Sequence, residues 1–258
     1  MSKNSLEKRA PRAVILTAIP LEYQAVRKHV DELNELTHPK GNVYEQGSFS
    51  GDYHTWDIGI AEVGAGNNTC ALQTERAISF FNPDVIIFVG IAGGIKDLNL
   101  GDVVVAEKAY GYESGKVDAS GFLTRPVVGM SSFEIFERAK AEAKKPNWKN
   151  RIATRFQRKK LKAIAKPIAA GEKVVAEARS DVYDLIHKSY NDTVAVEMEG
   201  SGFYSACHAN GSLQFLIVRG ISDLLVNKSE TDGKGYQEIA ARNASAFAFE
   251  VLSKFKIK

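Results

Sequence analysis

The chain has 258 residues, 44% of them hydrophobic, which is ample for a large core and ordinary for one α/β domain. No stretch approaches the roughly 18 consecutive apolar residues of a membrane span, and the polar segment from Met1 to Arg12 lacks the apolar centre of a secretory signal. Two distant cysteines, Cys70 and Cys207, and five scattered histidines lack metal-ligand spacing, so neither a metal nor a cofactor is expected and the cysteine usage suits a reducing cytoplasm.

Residues Ala13 to Thr17 read as a short buried strand, and Pro20 opens a helix with Leu21, Ala25, Val26 and Val30 at helical spacing. Val43 to Phe49 and Tyr53 to Val63 read as two strands of a hairpin turned at Ser50-Gly51-Asp52. Gly64-Ala65-Gly66 breaks that pattern, and Asn67 or Asn68 is placed to cap a helix reaching Phe81. After Pro83, Val85 to Val89 is a fully apolar strand that runs into a glycine-rich turn, Gly90-Ile91-Ala92-Gly93-Gly94. Val103 to Ala106 is a further strand, Ser131 to Lys145 an amphipathic helix, and Ile168 to Gly171 a strand. Ser180 or Asp181 caps a helix through His187, Glu199 to Ala209 is helical, and Tyr236 to Phe255 closes the chain as a helix. Alternating strands and helices with an early hairpin predict an α/β domain over 13–258, with a mixed central sheet flanked by helices.

One segment is compositionally anomalous. From Lys140 to Lys166 there are eleven cations against one acid, Glu142, a local charge of +10 in a chain of net +3, so the remainder carries about −7. Trp148 and Phe156 within it admit contact with nucleic acid. A basic helix is more commonly a solvated face, and nucleic acid is not the expected partner.

Charge also sits where two apolar runs end, at Val194 to Gly200 (VAVEMEG) and Phe215 to Asp223 (FLIVRGISD). Unpaired carboxylates at buried strand ends are costly, and the carboxyl ends of strands are where α/β proteins bind ligands. Glu197, Glu199, Arg219 and Asp223 are therefore candidates for chemistry. Each has a plain structural alternative, as a helix cap, a dipole partner or an ion pair.

Val196 to Glu199 (VEME), Arg219 to Asp223 (RGISD), Val89 to Gly94 (VGIAGG) and Ala18 to Glu22 (AIPLE) fall in the order and approximate spacing of the purine nucleoside phosphorylase/nucleosidase superfamily, and the chain most resembles its methylthioadenosine/S-adenosylhomocysteine nucleosidases. The resemblance covers about Ala13 to Phe255, leaving the basic segment near 140–166 as an insertion. It implies a homo-oligomer, a dimer or a hexamer, that cleaves a purine–ribose bond. It implies Asp223 as general acid at the purine, Glu199 gripping the ribose hydroxyls, Met198 packing on the sugar and Glu197 as an accessory. Gly90, Ile91, Ala92 and Gly93 would let backbone approach the ligand. Phosphorylases hold phosphate with an arginine in the first loop and another before the glycine-rich turn. Here those places carry Glu22 and Phe88, and a serine common in the turn is Ile91. The substitutions imply hydrolysis, with Glu22 taking a proton from water and Arg219 orienting it.

The base-stacking aromatic of the nucleosidases is absent from Gly171 to Val175, so Val174 and Val175 are expected beside the base. Gly171 to Ala176 (GEKVVA) is similar to a branch of bacterial defence systems whose members include ATP nucleosidases. Arg155, Arg158, Lys159 and Lys160 are accordingly expected at a 5′-phosphate, with ATP or dATP as substrate and an antiviral role. Two alternatives stand beside this: a thio-nucleoside substrate, and a non-catalytic module that senses a nucleotide or docks nucleic acid.

Overall fold

Strands β1 (Arg12–Thr17), β5 (Val85–Gly94) and β12 (Gln214–Leu224) lie side by side and parallel at the centre of a ten-stranded mixed sheet. They are covered on both faces, which is why each reads as an unbroken apolar run. The computed structural model describes residues 9–119, 121–152, 160–173, 180–225 and 235–257. Along β5, Val85, Ile87 and Val89 enter one core with Trp148, Phe247 and Phe249, while Ile86 and Phe88 enter another with Cys70, Phe203 and Tyr204. Helices α1 (Pro20–Arg27), α3 (Phe133–Ala143) and α6 (Tyr236–Lys254) cover the first face. Helices α2 (Asn67–Phe81) and α5 (Gly200–Ala209) cover the second. Helix α4 (Asp181–Ser189) is capped by Ser180, whose Oγ accepts the Tyr183 N–H at 3.2 Å.

The sheet bends into a ring at the end that carries the site. Strand β6 (Val103–Gly111) pairs antiparallel with β12, β10 (Ala163–Ala170) parallel with β6, and the three-residue β11 (Ala195–Glu197) parallel with β10. Strand β11 then pairs antiparallel with the last residues of β5, Ala195 opposite Gly94 and Val196 opposite Gly93, so β5, β12, β6, β10 and β11 close on themselves. On the other side β4 (Thr55–Glu62) pairs with β1, and β3 (Val43–Ser50) forms the expected hairpin with β4. The outermost strand, β2 (Asp31–Thr37), was not legible in the sequence. Its composition is polar because it is an edge strand, in which only Leu33 and Leu36 reach the two cores, half-buried, and the other residues are polar. Strand β9 (Val127–Met130) pairs with β6, and β7 (Gly115–Asp118) and β8 (Gly121–Thr124) form a separate hairpin.

Three expectations change. Gly90 to Gly94 is the second half of β5 and not a turn, because β12 on one flank and β11 on the other continue its ladder. Helix α2 is entered from Gly66, at φ +93°, so neither Asn67 nor Asn68 is its N-cap. The described parts of the basic segment are scaffold: Trp148 is 1% exposed and packs against Phe247, which removes it as a stacking surface for nucleic acid. Arg151 pairs with the buried Glu250 at 2.7 Å, Lys145 with the buried Glu142 at 3.2 Å, Lys140 with Glu137 at 3.0 Å, and Lys166 lies within β10.

Candidate active site

Alternation along β12 puts Phe215, Ile217 and Arg219 on the α2–α5 face, so an arginine enters a core otherwise filled by Phe88 and Phe203. Arg219 is 0% exposed, with its guanidinium carbon 4.1 Å from the centre of the Phe88 ring. A cation so placed needs anions close by. Glu197, at the end of β11, supplies one through Oε2 at 2.5 Å from Arg219 Nη2, and Glu199 a second at 3.5 Å. Glu22, 2% exposed, contributes a third negative charge to the same environment.

Each carboxylate is held differently. Glu197 accepts the Gly200 N–H on both oxygens, at 2.9 and 3.0 Å, and the Glu199 N–H at 3.2 Å. With the Arg219 contact its oxygens are fully engaged, so it holds Arg219 and the first turn of α5. The structure places Glu197 in a supporting position at the site, behind Arg219 and under the start of α5. Glu199 accepts the Gly66 N–H on Oε1 at 3.0 Å and turns Oε2 toward Arg219. Burial, and then the charge of Glu197, push the Glu199 carboxyl up to about 7, against the pull of Arg219 and the Gly66 N–H. Glu22 folds back over its own helix start, Oε2 accepting the N–H groups of Ala18 and Ile19 at 2.7 and 3.2 Å and Oε1 that of Ile91 at 2.8 Å. Burial raises its carboxyl above the usual range, while Arg219 and those three N–H groups oppose the shift.

Glu22 and Arg219 meet over Gly90. A β-carbon on Gly90 would stand 2.6 Å from Glu22 Oε1 and closer still to Arg219 Nη1. The glycine therefore keeps the space between an acceptor and a donor free of a side chain. Arg219 Nη1 and Nε are buried and make no hydrogen bond, so a donor is available there.

Asp223 lies farther along β12, past a register shift between Ile221 and Asp223 that re-aims the chain. Ser222 Oγ donates to Asp223 Oδ2 at 2.7 Å and also lies 3.4 Å from the Ala92 carbonyl oxygen. Asp223 Oδ1 lies over Gly93, 3.1 Å from where its β-carbon would stand, with Leu225 and Val196 on the same spot at 3.3 and 3.6 Å. Met198 is half-buried between the two glutamates. Val174, Val175, Arg155, Arg158 and Lys159 lie outside the described residues. Lys160 is exposed next to Leu161, which packs over Gly101, and the Gly101 N–H donates to the Ile221 carbonyl.

The structure thus brings Glu22, Gly90, Ile91, Glu197, Glu199 and Arg219 around one point, with Asp223 and Gly93 along the same two strands. The profile of the Phosphorylase superfamily matches residues 12–255. The chain belongs to that superfamily. Among curated relatives it is 24% identical over 251 residues to the 5′-methylthioadenosine/S-adenosylhomocysteine nucleosidase of Haemophilus ducreyi, covering 93% of this chain and 97% of the relative. It is 25% identical over 250 residues to the Staphylococcus aureus nucleosidase of the same name, covering 93% and 98%. In three dimensions it matches the Neisseria meningitidis nucleosidase solved with methylthio-immucillin-A, with a TM-score of 0.76, 22% identity and coverage of 95% and 99%. It matches futalosine hydrolase of Helicobacter pylori nearly as well, with a TM-score of 0.75, 23% identity and the same coverage.

Sequence reasoning missed the Gly66 N–H that seats Glu199, the backbone N–H groups of Ala18, Ile19 and Ile91 that seat Glu22, and the side chain of Asn67. The break at Gly64-Ala65-Gly66 was the available signal, since two glycines at φ +77° and +93° place a free N–H at a helix start. Among the described residues no group of three or more His, Cys, Asp or Glu is arranged to hold a metal, and no helix is long and apolar enough to cross a membrane.

Proposed function

We propose that the protein is a purine nucleosidase that hydrolyses the N-glycosidic bond of an adenine nucleoside. The observation that carries this reading is the approach of Glu22 and Arg219 across Gly90, among three buried carboxylates. Among the described residues Arg219 is the single cation within ion-pair distance of Glu197 and Glu199. An inorganic phosphate would meet net negative charge there. A water would find Glu22 Oε1 as acceptor and Arg219 Nη1 as donor.

The reaction then follows from charge. As the bond from C1′ to the purine lengthens, the ribose becomes cationic and the purine anionic. Glu199 accepts hydrogen bonds from the ribose hydroxyls, and the negative pocket favours the cationic sugar. Asp223 donates a proton to the purine, so that the base leaves neutral. Water adds to C1′ and passes its proton to Glu22, giving a free base and a free pentose. The curated relatives, named for thio-nucleoside substrates, support an adenine nucleoside with a 5′ thioether.

A 5′-phosphorylated substrate and a role in antiviral defence form a second reading, supported by the density of cations from 140 to 166. Against it, Lys140, Lys145 and Arg151 are engaged in ion pairs within the scaffold. The test incubates the protein with methylthioadenosine, adenosine, AMP and ATP, with and without inorganic phosphate, and identifies the sugar product. Free pentose in both buffers is expected, with the highest kcat/KM on methylthioadenosine. A ribose-1-phosphate product would overturn hydrolysis. A preference for ATP that is lost when Arg155, Arg158, Lys159 and Lys160 are neutralised would establish the second reading.

A further inference from the structure

Asn67 follows directly on the glycine that seats Glu199, and the two consecutive N–H groups hold two carboxylates from distant parts of the chain. The Gly66 N–H donates to Glu199 at 3.0 Å, and the Asn67 N–H donates to Glu172 Oε1 at 3.2 Å. The Asn67 side chain completes the junction. Its Nδ2 donates to the Gly171 carbonyl at 3.1 Å and to Glu172 Oε1 at 2.9 Å, and its Oδ1 accepts the Gly202 N–H at 3.0 Å. Glu172 and Lys173 are fastened from the other side by Glu113, which accepts the Glu172 N–H at 3.0 Å and pairs with Lys173 at 2.6 Å.

An asparagine at a helix start ordinarily caps its own helix. Here Gly66 is the cap, and the whole amide is directed at residues more than a hundred positions away. The three elements it joins are the start of α2, the first turn of α5 beneath Glu199, and the exit of β10 at Gly171–Lys173. A β-carbon on Gly202 would collide with the Asn67 carbonyl oxygen, so α5 is seated against this residue as closely as two backbones allow. The Glu199 end is where the sugar is gripped, and the β10 exit leads toward Val174 and Val175, expected beside the base.

We propose that Asn67, with Glu172 as its partner, is a positioning residue that fixes the separation between the sugar carboxylate Glu199 and the base-side exit of β10. The proposal rests on the nucleosidase reading and deepens it. Its physical content concerns a ligand with two linked halves. A nucleoside gains from a fixed separation because both halves engage at once, whereas a free base engages one half and is indifferent to it.

The experiment measures kcat/KM on methylthioadenosine and the Kd of free adenine for wild type, Asn67→Ala, Asn67→Asp, Glu172→Gln and the double variant Asn67→Asp/Glu172→Gln, with a melting curve for each. Asn67→Ala is expected to lower kcat/KM by about 10–100-fold while the adenine Kd moves by less than about threefold. Asn67→Asp sets two carboxylates against each other and should lose as much. Adding Glu172→Gln to Asn67→Asp restores an amide facing a carboxylate, and most of the loss should be recovered. Glu172 is exposed, so Glu172→Gln tests the pair in a folded protein even if Asn67→Ala unfolds, and it should weaken turnover more than adenine binding. Equal losses in adenine binding and turnover, no loss, or no recovery in the double variant would overturn the clamp. A wild type that releases adenine from no nucleoside defeats the nucleosidase reading and this proposal with it, whereas an active wild type with a failed pattern defeats the clamp alone.

Discussion

The guanidinium of Arg219 lies over a phenyl ring, its central carbon 4.1 Å from the centre of Phe88, and both side chains are fully buried. Phe88 thus closes one side of the arginine while Glu197 and Glu199 hold Nη2 from another. Removing the cation leaves Glu197 and Glu199 as neighbouring buried carboxylates with no cation between them. Arg219→Met is expected to destabilise the protein by about 3–5 kcal/mol and to abolish turnover. Urea unfolding followed by circular dichroism measures the first effect and an adenine-release assay the second. A fully stable Arg219→Met protein would show that the carboxylates do not depend on the arginine.

Asp223 is half-buried and near the end of its strand, so Asp223→Asn should preserve the fold. The amide cannot donate a proton in the same way, and kcat is expected to fall about 10²–10⁴-fold, with KM changed far less. Near-normal kcat would mean that the proton reaching the purine comes from another group.

Glu199 titrates near 7 in the folded protein and near 4.5 when unfolded. The folded state therefore holds a proton that the unfolded state has released, so this group's contribution to stability is complete below about 4.5 and is lost as pH rises toward 7. The burial-raised carboxyl of Glu22 acts in the same direction. Activity has the opposite trend, since the ionised Glu199 grips the ribose, and kcat/KM should rise through a limb near 7. Glu199→Gln should flatten both profiles, as read from unfolding and initial rates between pH 4.5 and 8. An unchanged stability slope in Glu199→Gln would assign the proton elsewhere.

Gly90→Ala places a methyl group 2.6 Å from Glu22 Oε1 and against Arg219 Nη1. Both polar groups must move, at a cost of about 1–3 kcal/mol, and the gap between them fills. The expected result is a folded protein with turnover reduced by at least about 100-fold. A crystal structure of Gly90→Ala with a water still bridging Glu22 and Arg219, or unimpaired kcat, would place the reacting water elsewhere.

Much of the framework was legible because it depends on local pattern. Strands β1, β5 and β12 are apolar on both faces and announce themselves as continuous runs, and the hairpin of β3 and β4 needs only alternation and a turn. Ser180 caps α4 through a bond three residues away. Glu197, Glu199, Arg219 and Asp223 were found because charge is out of place at the end of an apolar run, whereas Glu22 entered only through the resemblance of its segment to the superfamily. Tertiary structure alone decided which of those charges meet. Glu197 and Glu199 are two residues apart, yet one is engaged by α5 and Arg219 while the other is seated by Gly66, 133 positions away. Nothing local marks Gly90 to Gly94 as strand, since its partners β11 and β12 lie more than a hundred residues downstream. Asn67 is likewise invisible as a junction, because its amide satisfies backbone and carboxylate groups at 171, 172 and 202. Burial and alternation are encoded within a few neighbouring residues. Hydrogen bonds between distant segments exist only after the ring of strands has closed.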